Sequence, residues 1–332
     1  MKNFKEKDQE ETKEILTGIN DFLETNFKRD KRFINRYQLH KITWIVAEEL
    51  DLDITRAWYK RGQYVFNATP LINRAIDNGF NEIKKGGELT NKTIEVLENK
   101  KDTIRDLIKT SFFEFTEITY SRLTDKRIQP IYKAHNPIFV YMHRLLDSED
   151  MEELKETINK LGLEENINQK ITEIHTEIIT KEEFKELRDP YIDLTEIIEN
   201  LFLSLKHLSE KNKLTKKQMK ASKRIFSHFF DQKNQLDQND AWGYIAWIIS
   251  GKTAKGRDSK KIKNISKKYQ EEAEEAIKEI TEKTKQLMKK HGLEPTEEML
   301  EKSLEKTKIP NKDEEKIKDF LNTYSGVKER LS

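Results

Sequence analysis

Apolar residues recur at helical spacing along almost the whole chain, and they are densest between Arg36 and Asn67. In the first half of that block Leu39, Ile42, Val46 and Leu50 fall on one stripe, widened by Trp44 and Ile45, which predicts a helix buried on more than one side. At Asp51-Leu52-Asp53 the period breaks, and Trp58, Tyr59, Tyr64 and Phe66 then lie among Arg56, Lys60 and Arg61 around Gly62. This second half predicts a short β-hairpin or extended segment near residues 54–66. Lys60-Arg61-Gly62-Gln63 would be its tight turn, with glycine supplying positive φ.

Elsewhere the period is helical. A first amphipathic helix is expected from about Glu10 to Phe27, on Ile15, Ile19, Phe22, Leu23 and Phe27. Thr69-Pro70 opens another, stopped at Asn78-Gly79, and Thr90 is the expected cap of a short helix carrying Ile94 and Leu97. A longer one is expected from about Asp102 to Leu123, and Asn136-Pro137 reads as a helix start. Two further helices are expected over 148–161 and 165–179, the second with an isoleucine ladder at Ile167, Ile171, Ile174 and Ile178. Thr180-x-x-Glu183 reads as a capping box and Asp189-Pro190 as a break. A second aromatic nucleus spans Leu194 to Ser250, ending in the apolar run Ala241–Ser250. Residues 252–268 carry eight cations against one acid and read as an exposed basic linker, and from Tyr269 onward a thin apolar stripe runs through a Glu/Lys-rich charged arm. The predicted architecture is all-α, a multi-helix bundle. It divides into an N-terminal domain over 1–146, a second helical domain over 147–251, the linker over 252–268 and a charged helical arm over 269–332.

Composition supports helices: 11 glycines and 6 prolines in 332 residues leave few breakers. The net charge of +2 creates no global field for nucleic acid, membranes or acidic substrates, so any polyanion binding must be local. With no cysteine, disulfides, thiol nucleophiles and cysteine-ligated metals are excluded. The N-terminus has no apolar stretch behind its lysines, and no run is long and apolar enough for a bilayer, so the expected location is cytoplasmic, with no membrane partner.

The block around L-x-K-I-x-W-I and W-Y-x-x-G-x-Y-V resembles the opening of the Panacea domain, carried here by Leu39, Lys41, Ile42, Trp44, Ile45, Trp58, Tyr59, Gly62 and Val65. Gln63 stands where that family has proline. Panacea domains occur in antitoxins and in proteins of mobile elements, so the resemblance implies work by protein contact, such as neutralising a toxin or regulating a mobile-element or defence function.

Trp58, Tyr59, Arg61 and Tyr64 are the expected partner-binding surface, although alternation equally permits the rings to face the core. Aromatics interleaved with cations also suit nucleic acid. The candidate residues for that alternative are Arg56 and Lys60 in the block, and Lys252, Lys255, Arg257, Lys260, Lys261 and Lys263 in the basic run. The seven histidines form no HExxH or H-x-H, so no metal site is expected, and G-K-T at 251–253 lacks the earlier glycine of a nucleotide loop, so no cofactor is implied. Glu114 and Glu117, in an otherwise apolar stretch, read as members of ion pairs. The expected function is non-enzymatic: a protein-binding or regulatory module, with a nucleic-acid-associated protein and a scaffold homodimerising through its C-terminal arm as alternatives.

Overall fold

The computed structural model describes residues 3–27, 34–60, 62–83, 85–110, 119–120, 128–147, 152–153, 170–171, 173–177, 180–229 and 240–300. Helix α1 (Phe4–Asn26) begins earlier than its apolar stripe because a cap sets its end. The Asn3 side chain accepts from the Glu6 N–H while the Glu6 carboxylate accepts from the Asn3 N–H. Asn35 and Gln38 cap α2 (Arg36–Glu49) in the same way. Strands β1 (Arg56–Tyr59) and β2 (Gly62–Val65) then form the expected hairpin, antiparallel, with Arg56 opposite Val65 and Tyr59 opposite Gly62. Gly62 has φ +94, the left-handed region in which a side chain would be strained.

After the hairpin come α3 (Thr69–Asp77), a 3-10 turn at Phe80–Ile83, α4 (Glu88–Asn99) and α5 (Lys101–Lys109). Thr90 is not the cap: it lies in the first turn of α4, where its hydroxyl donates across to the Glu14 carbonyl of α1. Helix α6 (Gln129–Asp147) starts ahead of Asn136-Pro137 and carries Pro137 inside, giving up one backbone hydrogen bond. Asp189-Pro190 is likewise no break. It sits in the first turn of α7 (Arg188–Glu210), where a proline N–H is not needed. Then follow α8 (Lys216–Phe229), α9 (Ala241–Thr253) and α10 (Ser259–His291). The stretches 111–118, 121–127, 154–169 and 301–332, with their expected helical residues and with Glu114 and Glu117, lie outside the described residues. Of the isoleucine ladder, Ile171 and Ile174 are described, and both are buried.

The architecture is an all-α multi-helix bundle with one small two-stranded hairpin. Its buried apolar residues form a connected set that runs from Ile15 in α1 through Trp44, Trp58, Tyr132, Phe202 and Trp242 to Ile277 and Met288 in α10. The core therefore passes from the expected N-terminal domain into the second one without a seam.

Two expectations for the C-terminal third are corrected. Residues 252–268 are not an exposed linker: α9 runs to Thr253, Lys255 pairs with Arg56 through two backbone hydrogen bonds, and α10 begins at Ser259. The charged arm, as far as His291, is packed rather than free. Within it Ala273, Ile277, Ile280, Thr281, Thr284 and Met288 are buried, as are Ile262 and Ser266 ahead of it in the same helix, and α10 lies against α7, α8 and α9. The lysines misled because they fill one face of a helix whose other face carries this thin stripe. Among the described residues no helix is long and apolar enough to cross a membrane.

Because α10 completes the shared core, a chain ending at Thr253 is expected to lose cooperative unfolding altogether. A thermal melt followed by circular dichroism checks this; a sharp transition retained by the shortened chain would show that the first 253 residues stand alone.

Candidate functional site

A two-stranded ribbon of four residues a side is marginal in water, and here side chains from distant elements take up its backbone groups. From α9, Ser250 Oγ donates to the Trp58 carbonyl at 2.6 Å, and Thr253 Oγ1 accepts from the Trp58 N–H at 2.9 Å. The Trp242 indole N–H donates to the Lys60 carbonyl at 2.9 Å, and the Tyr132 hydroxyl of α6 donates to the Tyr59 carbonyl at 2.7 Å. Lys60 itself forms a buried ion pair with Asp240, whose other oxygen accepts from the Gly243 N–H and so caps α9. His135 stacks on Trp242, with ring centroids 3.4 Å apart.

This geometry corrects the expected contact surface. Trp58, Tyr59 and Tyr64 are each more than nine-tenths buried, and Tyr59 packs against Trp247 with ring centroids 4.9 Å apart. Arg61 lies outside the described residues. Arg56 and Lys60, two of the nucleic-acid candidates, are buried as well. Arg56 donates to the carbonyls of Leu52 and Ile54 and lies over the Trp44 ring. Burial draws its pKa below the usual arginine value, opposed by the carboxylates of Glu48, Asp51, Asp53 and Asp8. In so short a hairpin both faces are covered, one by α2 and one by α9, so alternation of ring and cation does not translate into inside and outside.

Arg257 is also committed to the fold. Its guanidinium reaches Asp8 at 2.9 Å and Glu11 through both terminal nitrogens, and the hydrogen bond with Glu11 is the largest reason its pKa rises above the ordinary value. Asp8 is fully buried and accepts in addition from the Thr55 N–H and from Asn67. Sequence reasoning missed this carboxylate, which precedes the apolar stripe of its helix; the signal available was the Asn3/Glu6 box that starts the helix early. Gly256 makes the approach possible: its φ is +91, and a Cβ there would fall 2.3 Å from the Ile54 carbonyl oxygen.

The remaining candidates are placed differently. Lys252, Lys255, Lys260, Lys261 and Lys263 are all exposed, as are Lys267 and Lys268. Lys255 pairs with Glu48 at 3.1 Å, and Lys267 and Lys268 lie 3.8 Å from Glu271 and Glu272. Among the described residues no ion pair reaches Lys252, Lys260, Lys261 or Lys263. At about 100° per residue the five lysines from Lys260 to Lys268 span roughly 160° of arc, centred opposite buried Ile262 and Ser266.

A cleft of about 250 Å³ opens between α2 and α5, lined in part by Lys41, Trp44, Glu48, Glu49 and Lys100. Its carboxylates are engaged by cations, Glu49 by Lys100 at 2.8 Å and Glu48 by Lys255. Among the described residues no three His, Asp or Glu side chains are grouped to hold a metal ion.

These features define a class: an all-α protein in which an aromatic hairpin is the buried hub and a lysine-rich helix start is displayed to solvent. Residues 66–324 match the model of a family described as a domain of unknown function (DUF8098), and the chain belongs to that family. The match begins at Phe66, after nearly all of the block that resembles the Panacea domain, and it includes the lysine-rich helix start. No curated protein and no solved structure matches the chain.

Two consequences for stability follow from the hub. Asp240→Asn leaves the Lys60 ammonium buried without its counter-charge and should cost about 3–5 kcal/mol, read as a lower urea midpoint, while adding Lys60→Met should restore part of the loss. His40 accepts the Val65 N–H at Nδ1, and burial first, then Lys41 and Arg36, lowers its pKa from 6.5 to about 3. The unfolded chain binds a proton on this ring below 6.5 and the folded chain does not until about 3. The contribution is therefore complete above 6.5 and declines as pH falls through that window. Between pH 6.5 and 4 the native protein should lose stability more steeply than His40→Gln, by about 1.4 kcal/mol per pH unit.

Proposed function

We propose that the chain is a non-enzymatic binding module whose ligand is a polyanion, held at the first turns of α10. The observation that carries this reading is the placing of lysines where the fold gains nothing from them. Lys260 and Lys261 sit at the positive end of the helix macrodipole, where the acid at hand is Asp258 at the N-cap, whose side chain caps no backbone N–H, and the first turn itself adds none. Each such charge costs about 0.3–1 kcal/mol. Lys260 with Lys263, and Lys263 with Lys267, are like-charge neighbours one turn apart, each pair destabilising by about 0.2–0.5 kcal/mol. A local rule broken with only the N-cap Asp258 to offset it marks a position retained for something other than stability. Anionic phosphate groups would supply the missing counter-charge.

Toxin neutralisation or regulation by protein contact, as the Panacea resemblance implies, would have to use a surface other than the hairpin, whose rings are buried. Homodimerisation through the arm would need apolar surface beyond α10, since the stripe of that helix faces its own chain.

Replacing Lys260, Lys261 and Lys263 by Glu should separate binding from stability. The triple variant should lose retention on heparin at low salt while melting at the same temperature as the native protein or higher, because acids suit a helix start. Native-like heparin retention by the folded variant would refute the reading.

A further inference from the structure

We infer that the cleft between α2 and α5 is a separate binding site, for a small carboxylic acid with an apolar body; this goes beyond the polyanion reading and does not rest on it. Along α2, Lys41, Trp44, Ile45 and Glu48 follow the three- and four-residue spacing of one helix face, and they form one wall. Thr103 and Leu107, on one face of α5, form another, and Gln63 of β2 adds to the lining. The lining holds donors that the fold does not use. Trp44 is buried, and its indole N–H meets no acceptor. Among the described residues the side chains of Gln63 and Thr103 make no hydrogen bond either. A buried donor left unmet is costly and rare in native proteins, so one beside a cleft points to an acceptor brought from outside.

Charge and size define that acceptor. The Lys41 ammonium is buried against the hairpin turn, where a Cβ on Gly62 would fall 3.1 Å from it. Its charge is felt nearby, since burial first and then Lys41 lower the pKa of His40. The acids of the cleft are engaged, Glu49 by Lys100 at 2.8 Å and Glu48 by Lys255 at 3.1 Å, so they do not call for a cationic ligand. A carboxylate fits instead. Its two oxygens accept from several donors at once, and hydrogen bonds to a charged acceptor are the strong ones. A phosphate carries further charge, for which the described lining adds only Lys100, already held by Glu49. Ile45, Leu107 and the Trp44 ring give the rest of the ligand an apolar wall. At about 250 Å³ the cleft is smaller than the roughly 300–1,000 Å³ of pockets for drug-sized molecules, which limits that body to a single ring or a branched chain.

The test follows the four tryptophan indole N–H resonances of the full, nitrogen-15-labelled chain while phenylacetate, phenylacetamide, phenethylamine or inorganic phosphate is added. Phenylacetate should move one indole resonance downfield with a Kd of about 1 mM, the scale set by a ligand of so few atoms. That resonance should be the one missing from Trp44→Phe. Phenylacetamide, which keeps the shape and loses the charge, should bind about tenfold more weakly, and phenethylamine should move no indole resonance. Thr103→Phe, which fills the cleft from α5 and leaves Trp44 in place, should abolish the shift, so the test stands even where Trp44→Phe fails to fold. No indole shift with phenylacetate at about 50 mM, a shift that survives Thr103→Phe, equal binding of the amide, or a tighter response to phosphate would overturn the inference. Heparin retention is unaffected by any of these outcomes and tests the α10 lysines separately.

Discussion

The ion pair between Lys60 and Asp240 joins two segments 180 residues apart in the sequence, and the rest of the structure is arranged around what it joins. Asp240 caps α9 while meeting the cation at the hairpin turn, so one carboxylate sets both where α9 starts and how it lies on β1. Two charges removed from water are favourable only when their geometry is good and their remaining hydrogen bonds are met. Here the Gly243 N–H and the Trp242 indole, which donates to the Lys60 carbonyl, supply part of that surrounding. Removing either partner leaves the other charge buried and unmet, so the pair ties the hairpin turn to the start of α9.

At the other end of β1 a second clamp does similar work. Arg257 draws Asp8 and Glu11 of α1 toward the turn ahead of α10, and that turn adds Lys255 to the hairpin as a short third strand position. The N-terminal helix, the segment entering the hairpin and the turn before the C-terminal helix thereby meet at one charge cluster centred on buried Asp8. Once Arg257 is neutralised by two carboxylates, Lys260, Lys261 and Lys263 after it are reached by no ion pair among the described residues, which is how a chain with a net charge of only +2 can still present a local cationic face.

Much of the fold was legible. Scarcity of breakers and helical spacing indicated helices throughout, and Asp51-Leu52-Asp53 followed by Gly62 marked the hairpin. Helix ends were less legible, because caps such as Asn3 and prolines such as Pro137 and Pro190 act over one turn and compete with longer apolar patterns. The candidate site was half legible. Lys260, Lys261 and Lys263 were singled out as a basic run and are exposed, but the run was expected to be a linker rather than a helix face. Trp58, Tyr59 and Tyr64 stand out by residue type, and type does not reveal whether a second layer covers a hairpin's other face.

By itself, the sequence determined the class of secondary structure, the absence of cysteine from these 332 residues and the positions where aromatic and cationic residues accumulate, because these depend on composition and on spacing within one element. Tertiary structure alone decided which of those residues water can reach. The backbone of Trp58 is met by Ser250 and Thr253, the ammonium of Lys60 by Asp240, and the guanidinium of Arg257 by Asp8, partners roughly 180 to 250 positions away. No local periodicity encodes such distant pairings; they arise only when the whole core closes.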